Sequence, residues 1–233
     1  MFVLRRSRER GHADLGWLHT RHSFSFGHYH DPKHMGFASL RVINEDVVRG
    51  GGGFAPHGHA NMEIVTYVIA GQLAHRDSLG NAGLILPGEI QRMSAGRGIQ
   101  HSEMNPSNDT PVHLLQIWLT PEIHDTPPDY AHETLDANLL RNRWGLIAAP
   151  RGETTGGVVG LRRDARIHAV RCDQSTSLSH ALRHGKGWLQ VIDGEACCES
   201  VILSAGDGLA ITAVTQLDLD VSDNFHALLF DLS

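Results

Sequence analysis

Cysteine is scarce in this 233-residue chain, and the three present, Cys172, Cys197 and Cys198, are an odd number with two adjacent. Neighbours on a strand face opposite sides, so these thiols make no disulfide framework, and a reducing cytoplasm is the expected compartment. No run approaches the roughly 18 consecutive apolar residues that a membrane-spanning helix needs. The opening Met1-Phe2-Val3-Leu4, followed at once by Arg5 and Arg6, is expected not to be a signal peptide. Positive charge is not in excess: Lys+Arg 20 against Asp+Glu 26 gives a net charge of -6. The global basic field that nucleic-acid binding calls for is therefore missing. The arginines at 5, 6, 8 and 10 read as a solvated strand edge rather than a nucleic-acid arm. Also lacking are a Gly-rich phosphate loop, a nucleophile elbow, a paired-cysteine redox motif and long amphipathic helices.

What is present is a folded composition, 41% hydrophobic and 20% charged, with 25 glycines. Short apolar segments recur between turn residues, at Ala38–Ile43, Met62–Ile69, Leu84–Leu86 and Val112–Leu119. Closely spaced strands of this kind predict an all-β sandwich or barrel. Ser78–Gly83 reads as a hairpin turn and Pro87-Gly88 as a second turn. The segment Thr120–Asp129, with Pro121, Pro127 and Pro128, reads as a linker, dividing the chain into domains 1–125 and 126–233. Beyond it a short helix is expected over Glu133–Trp144, with Leu135, Leu139 and Leu140 inward, before strand alternation resumes at Arg166–Val170 and Ser177–Leu182. A weak internal repeat suggests two copies of one fold. Val68-Ile69-Ala70-Gly71-Gln72-Leu73 answers Val191-Ile192-Asp193-Gly194-Glu195-Ala196, and Pro87-Gly88-Glu89 answers Ala205-Gly206-Asp207.

Histidine is the unusual quantity: 17 residues, thirteen of them before residue 135. In Pro56-His57-Gly58-His59 two imidazoles at i and i+2 share one face of a strand, close enough to share an ion. Gly96-Arg97-Gly98-Ile99-Gln100-His101-Ser102-Glu103 repeats the arrangement with an imidazole and a carboxylate. If both segments line one barrel, three nitrogens and one oxygen converge. A structural zinc site would be closed and tetrahedral, commonly with thiolates, and no cysteine lies in this half. Four N/O donors on an octahedral ion leave two positions open for substrate, dioxygen or both. The ligand set alone does not choose among iron, manganese, nickel and copper.

These residues also carry a resemblance. Gly51-x5-His57-x-His59-x3-Glu63, with Gly71 after seven intervening residues, is similar to the first cupin motif. The second cupin motif is met by Pro87-Gly88 and His101 but lacks the usual asparagine. More specifically, the chain resembles the pirin family of bicupins. The matching stretches are His22–Gly27, Asp31–Phe37, Leu40–Asp46, Phe54–His59 and Met93–Pro106, within residues 15–122. The C-terminal half is more loosely similar.

The resemblance implies two tandem cupin domains, the first (1–125) holding a metal and the second (126–233) empty. It implies that His57, His59, His101 and Glu103 bind one divalent transition metal. Fe2+ is favoured, with Mn, Ni, Cu or Zn as alternatives. Glu63, the generic cupin glutamate, becomes a neighbour rather than a ligand. Bacterial pirins are associated with quercetin 2,3-dioxygenase activity, which opens the heterocycle of a flavonol with O2. The expected chemistry is chelation of the substrate 3-hydroxyl with Glu103 as catalytic general base. The expected partners are therefore a small aromatic, flavonol-like substrate and O2, with no nucleic acid bound directly and no membrane. A monomer is expected, and a protein partner stays open. Eukaryotic pirins act as iron-dependent transcriptional co-regulators. The alternative function is thus a metal-dependent iron or redox sensor working through protein partners, with incidental oxygenase activity; a storage or sugar-binding cupin fits less well. Phe24, Phe26, Met93 and Trp118 are candidates for an apolar wall. His28, His30 and His34 flank a turn, and His75 and Asp77 read as solvated hairpin residues. His180 and His184 read as structural.

Overall fold

Strands form wherever apolar and polar residues alternate, as in Leu18–His22, where residues 18, 20 and 22 are buried and 19 and 21 are exposed. The computed structural model describes residues 1–233. The first half contributes β1 (Phe2–Arg5), β2 (Gly11–Asp14), β3 (Leu18–His22), β4 (Leu40–Val48), β5 (Gly53–His59) and β6 (Glu63–Ala70). It continues with β7 (Leu73–Asp77), β8 (Ala82–Ile85), β9 (Glu89–Ser94), β10 (Ile99–Met104) and β11 (Val112–Leu119). The second half opens with β12 (Asp129–Thr134), α1 (Ala137–Leu140), β13 (Gly145–Pro150), β14 (Val159–Leu161) and β15 (Ala165–Cys172). Then follow β16 (Thr176–Ala181), β17 (Lys186–Asp193), β18 (Glu195–Cys198), β19 (Val201–Ser204), β20 (Gly208–Thr212), β21 (Gln216–Val221) and β22 (Phe225–Leu232).

The all-β bicupin architecture is as expected, and its two halves share one strand order except at one edge, where β14 pairs parallel with β13 while β2 pairs antiparallel with β3. A seven-stranded sheet ordered β12-β9-β6-β11-β4-β3-β2 accompanies a four-stranded sheet β5-β10-β7-β8. In the second half the orders are β1-β20-β17-β22-β15-β13-β14 and β16-β21-β18-β19. The sequence repeat falls on equivalent turns. Gly71 between β6 and β7 has φ +77°, and Gly194 between β17 and β18 has φ +76°. These are left-handed conformations that a side chain disfavours.

The halves exchange an edge. β1, from the N-terminus, pairs antiparallel with β20 of the second domain, whereas β12, beyond the proline-rich segment, pairs with β9 of the first. The two large sheets also pack on each other. Val65, Tyr67, Leu115, Ile117 and Leu119 of the first domain share one buried cluster with Ile167, Ala169, Leu228 and Phe230 of the second. Each of the Val, Leu, Ile and Phe side chains stabilises the union by roughly 1.5–3 kcal/mol relative to exposure.

Two expectations are corrected here. The N-terminal arginines are not one solvated edge: Arg8 is exposed, but Arg5 and Arg10 are buried. The chain crosses between domains at this point, where carbonyls and carboxylates need donors. Arg10 reaches Glu45 Oε2 at 2.6 Å and the Gly206 carbonyl at 3.0 Å, and Arg5 donates to Tyr29 Oη at 2.8 Å. The helix expected over Glu133–Trp144 shrinks to Ala137–Leu140, because β12 takes residues up to Thr134 and Asp136 caps the first turn. Leu135 and Leu140 are buried but Leu139 is exposed.

Candidate metal centre

The centre lies inside the first barrel, on the four-stranded sheet. β5 and β10 pair antiparallel with His57 opposite His101 and Phe54 opposite Glu103. Between these pairs Ala55 and Pro56 oppose the single residue Ser102, a β-bulge that accommodates a proline with no N–H to give the ladder. On the other side of β10, β7 places Asp77 opposite His101 and His75 opposite Glu103. Alternation then directs His75, Asp77, His101 and Glu103 into the barrel.

The Nε2 atom of His101 lies 3.0 Å from that of His59 and 3.1 Å from that of His57. Nitrogens about 2.1 Å from a common ion are about 3.0 Å apart at right angles and about 3.4 Å apart at tetrahedral angles. Both distances from His101 therefore match cis positions of an octahedron. His57 Nδ1 lies 2.8 Å from the Ala55 carbonyl, which can only accept, so the proton sits on Nδ1 and the Nε2 lone pair is free. Burial, then the neighbouring imidazoles, push His59 down to about 4 and His101 down to about 3. Both are neutral at pH 7, the form that binds metals.

Glu103 is buried, and both of its oxygens accept from Gln116 Nε2, at 3.0 and 2.8 Å, with Thr66 Oγ1 at 3.4 Å. His57, His59 and His101 form one cluster of potential ligand atoms within 4.8 Å of one another, and Glu103 joins His101 and His75 in a second. His75 and Asp77 are thus not solvated, as their hairpin position had suggested. They are 2% and 8% exposed, because the hairpin curls its first strand into the barrel wall.

The nitrogens open into a cavity of about 570 Å³. Phe26, Trp118, Leu18 and Ile64 contribute apolar wall, and Thr20, His22, Asn44, Asp46 and Gln116 a polar one. Phe26 and Trp118 meet edge to face at 5.3 Å, and Trp118 stacks edgewise on His59 at 4.9 Å. The other two candidates for the wall lie elsewhere. Phe24 packs on Trp188 of the second domain, and Met93 is fully buried beside Ala95 and Ile99. Of the turn histidines, His28 reaches the cavity. Glu63 faces away from it. Its Oε2 accepts from Ser94 Oγ at 2.8 Å and from the Arg162 backbone N–H at 3.1 Å, tying the two domains.

Residues 3–119 match the family model described as Pirin, and residues 146–232 match the model described as Quercetinase C-terminal cupin domain. The chain belongs to the pirin family. It is 40% identical over 235 residues to a protein of Escherichia coli K12 named quercetin 2,3-dioxygenase, spanning 100% of this chain and 99% of that one. The pirin-like protein YhaK of the same organism is 34% identical over 238 residues, with 100% and 99% of the two chains covered. A crystal structure of the bacterial pirin YhhW from Escherichia coli in complex with nickel(II) has a TM-score of 0.93 at 39% identity. It covers 100% of this chain and 99% of that one.

In this pirin the second barrel differs where the first has its ligands. β16 and β21, the counterparts of β5 and β10, turn Leu178, Leu217 and Leu219 inward, and all three are buried in an apolar core. His180 lies beside His168 with ring centroids 4.2 Å apart, and His184 sits 3.2 Å from Asp164. Sequence reasoning missed Gln116, Asn44, Asp46 and His22 as wall residues. The signal was available: Leu114-x-Gln116-x-Trp118 and Val42-x-Asn44-x-Asp46 place polar residues on the inward face of otherwise apolar strands.

Proposed function

We propose that this pirin is a metal-dependent dioxygenase of the quercetin 2,3-dioxygenase type, which opens the heterocycle of a flavonol with O2. The observation that carries this reading is the set of three imidazoles, the His101 nitrogen at cis-octahedral distance from the other two, beside a buried carboxylate and facing a cavity large enough for a three-ring aromatic. The donor set fits one divalent transition ion held by His57, His59, His101 and Glu103. That ion would supply Lewis acidity favouring the deprotonated form of a chelating 3-hydroxyl. The protein's own groups do the rest. Glu103 accepts the hydroxyl proton as general base, and the Gln116 amide holds its carboxylate in plane. Phe26 and Trp118 keep water from the ring and press it toward the nitrogens. Names carried by relatives agree with this activity.

The test is oxygen uptake by protein reconstituted with Fe, Mn, Ni or Cu, across a panel of flavonols, with metal content measured on the protein as isolated. Uptake should require both metal and flavonol. Glu103→Gln should abolish turnover more completely than it lowers bound metal. No uptake with any metal overturns the proposal. Turnover far below about 1 per second would favour the metal-dependent regulatory reading.

A further inference from the structure

Three residues lining the cavity have buried polar atoms without a protein partner: Asp46 Oδ1, Trp118 Nε1 and His101 Nδ1. The last belongs to the metal centre. Of the other two, the carboxyl is the costlier to leave unpaired. Asp46 sits on β4 between Thr20 of β3 and Leu114 of β11. It marks the boundary between the polar wall and the apolar floor of the barrel, formed by Leu18, Val48 and Leu114. Only Thr20 and the charge of Arg10 favour an ionised carboxyl there, and burial outweighs both. It is 3% exposed, and burial raises it from the ordinary carboxylate range to about 7. The hydrogen bond from Thr20 opposes the rise, whereas nearby Glu103 and Glu45 add to it. An apolar or amide side chain would serve the fold better at this position, so the explanation lies in what enters the cavity.

We propose that Asp46 is a specificity-determining residue of this cavity, its Oδ1 accepting a hydrogen bond from a substrate ring hydroxyl remote from the one placed at the metal centre. The assignment rests on the flavonol reading and deepens it. The substrate class becomes flavonols hydroxylated on more than the chelating position. A ligand lacking that second hydroxyl leaves the buried carboxyl oxygen unpaired, which is how a polar wall discriminates. Asp46 touches none of the four candidate ligands by hydrogen bond, so its replacement spares the metal.

Equilibrium binding of two flavones tests this. 3-Hydroxyflavone carries only the chelating hydroxyl; 3,5,7,3′,4′-pentahydroxyflavone carries four more. Each is titrated into the unaltered protein, Asp46→Val and Asp46→Asn, metal-loaded and metal-free. Asp46→Val should weaken binding of the pentahydroxyflavone by about 10- to 100-fold. Binding of 3-hydroxyflavone should stay within about twofold, and bound metal should be unchanged. Asp46→Asn, which keeps an acceptor oxygen, should recover most of the loss, with a thermal midpoint at or above that of the unaltered protein. An unchanged ratio between the two flavones in Asp46→Val overturns the assignment alone. Binding of neither flavone to the unaltered protein overturns the flavonol reading and the assignment with it.

Discussion

Gln116 donates from one nitrogen to both carboxylate oxygens of Glu103, at 3.0 and 2.8 Å, so an amide on β11 sets the plane of a carboxylate on β10. Gln116→Leu keeps the volume and leaves Glu103 only the longer hydrogen bond from Thr66. Partners that orient ligands commonly account for about 10- to 100-fold in metal affinity. A loss of that size is expected in a competition titration against a chromophoric chelator. Unaltered affinity would mean that Gln116 does not govern the carboxylate.

Gly53 permits the closest approach of β5 to β10. A Cβ there would fall on the Glu103 carbonyl oxygen and the Met104 backbone. Gly53→Ala should push the His57–His59 strand away from His101, lowering metal occupancy together with the thermal midpoint. Full occupancy with a normal midpoint would show that the strands can separate without disturbing the nitrogens.

The union of the domains contains a buried pair, Tyr67 Oη and His226 Nε2, 2.9 Å apart. Removing the hydroxyl in Tyr67→Phe leaves the imidazole nitrogen unsatisfied and should cost about 1–2 kcal/mol, read from urea unfolding.

Acid should weaken the fold well above the range in which carboxylates titrate. Burial, then Arg171 and His113, bring His226 down to about 3, and burial, then His180, does the same for His168. In the unfolded chain both titrate at about 6.5. The unfolded state therefore binds more protons between these values. Stability present above pH 6.5 is lost as pH falls toward 3, by up to about 1.4 kcal/mol per pH unit for each histidine. In the metal-free protein His59 and His101 act in the same sense. Glu45, lowered to about 2, stabilises above its ordinary value of 4.5 and loses that contribution only below it. Urea midpoints between pH 7.5 and 5 read the histidines against Asp46, whose carboxyl, raised to about 7, is protonated on folding in the same window and opposes them. His226→Phe should flatten the slope, and an equal slope in that variant would contradict the assignment.

How much of this could be read beforehand depended on the range of the forces involved. The short apolar runs that became β4, β6 and β11 were legible because most of both faces of these strands is buried, as were the paired donors at 57/59 and 101/103, which need only the two-residue repeat of a strand. The repeated glycine turns were legible because positive φ leaves a compositional mark. Arg5 and Arg10 looked solvated because nothing local announces the carbonyls, phenol and carboxylate that await them 11 to 196 residues away. Glu133–Trp144 looked helical because its leucine spacing is local, whereas the pairing of β12 with β9 is not. Asp46 and Gln116 escaped notice because a polar residue on an inward face acquires meaning only once the barrel closes around a cavity.

The reciprocal placement of β1 and β12 has a consequence for dissecting the molecule. Severed near residue 125, the first fragment would expose the outer rim of β9 and the second that of β20, each with a row of unsatisfied amides and carbonyls ready to recruit strangers. Neither piece is a module to be expressed by itself. Mixed together, the fragments should find one another and regain solubility, since each carries the missing stave of the other's barrel.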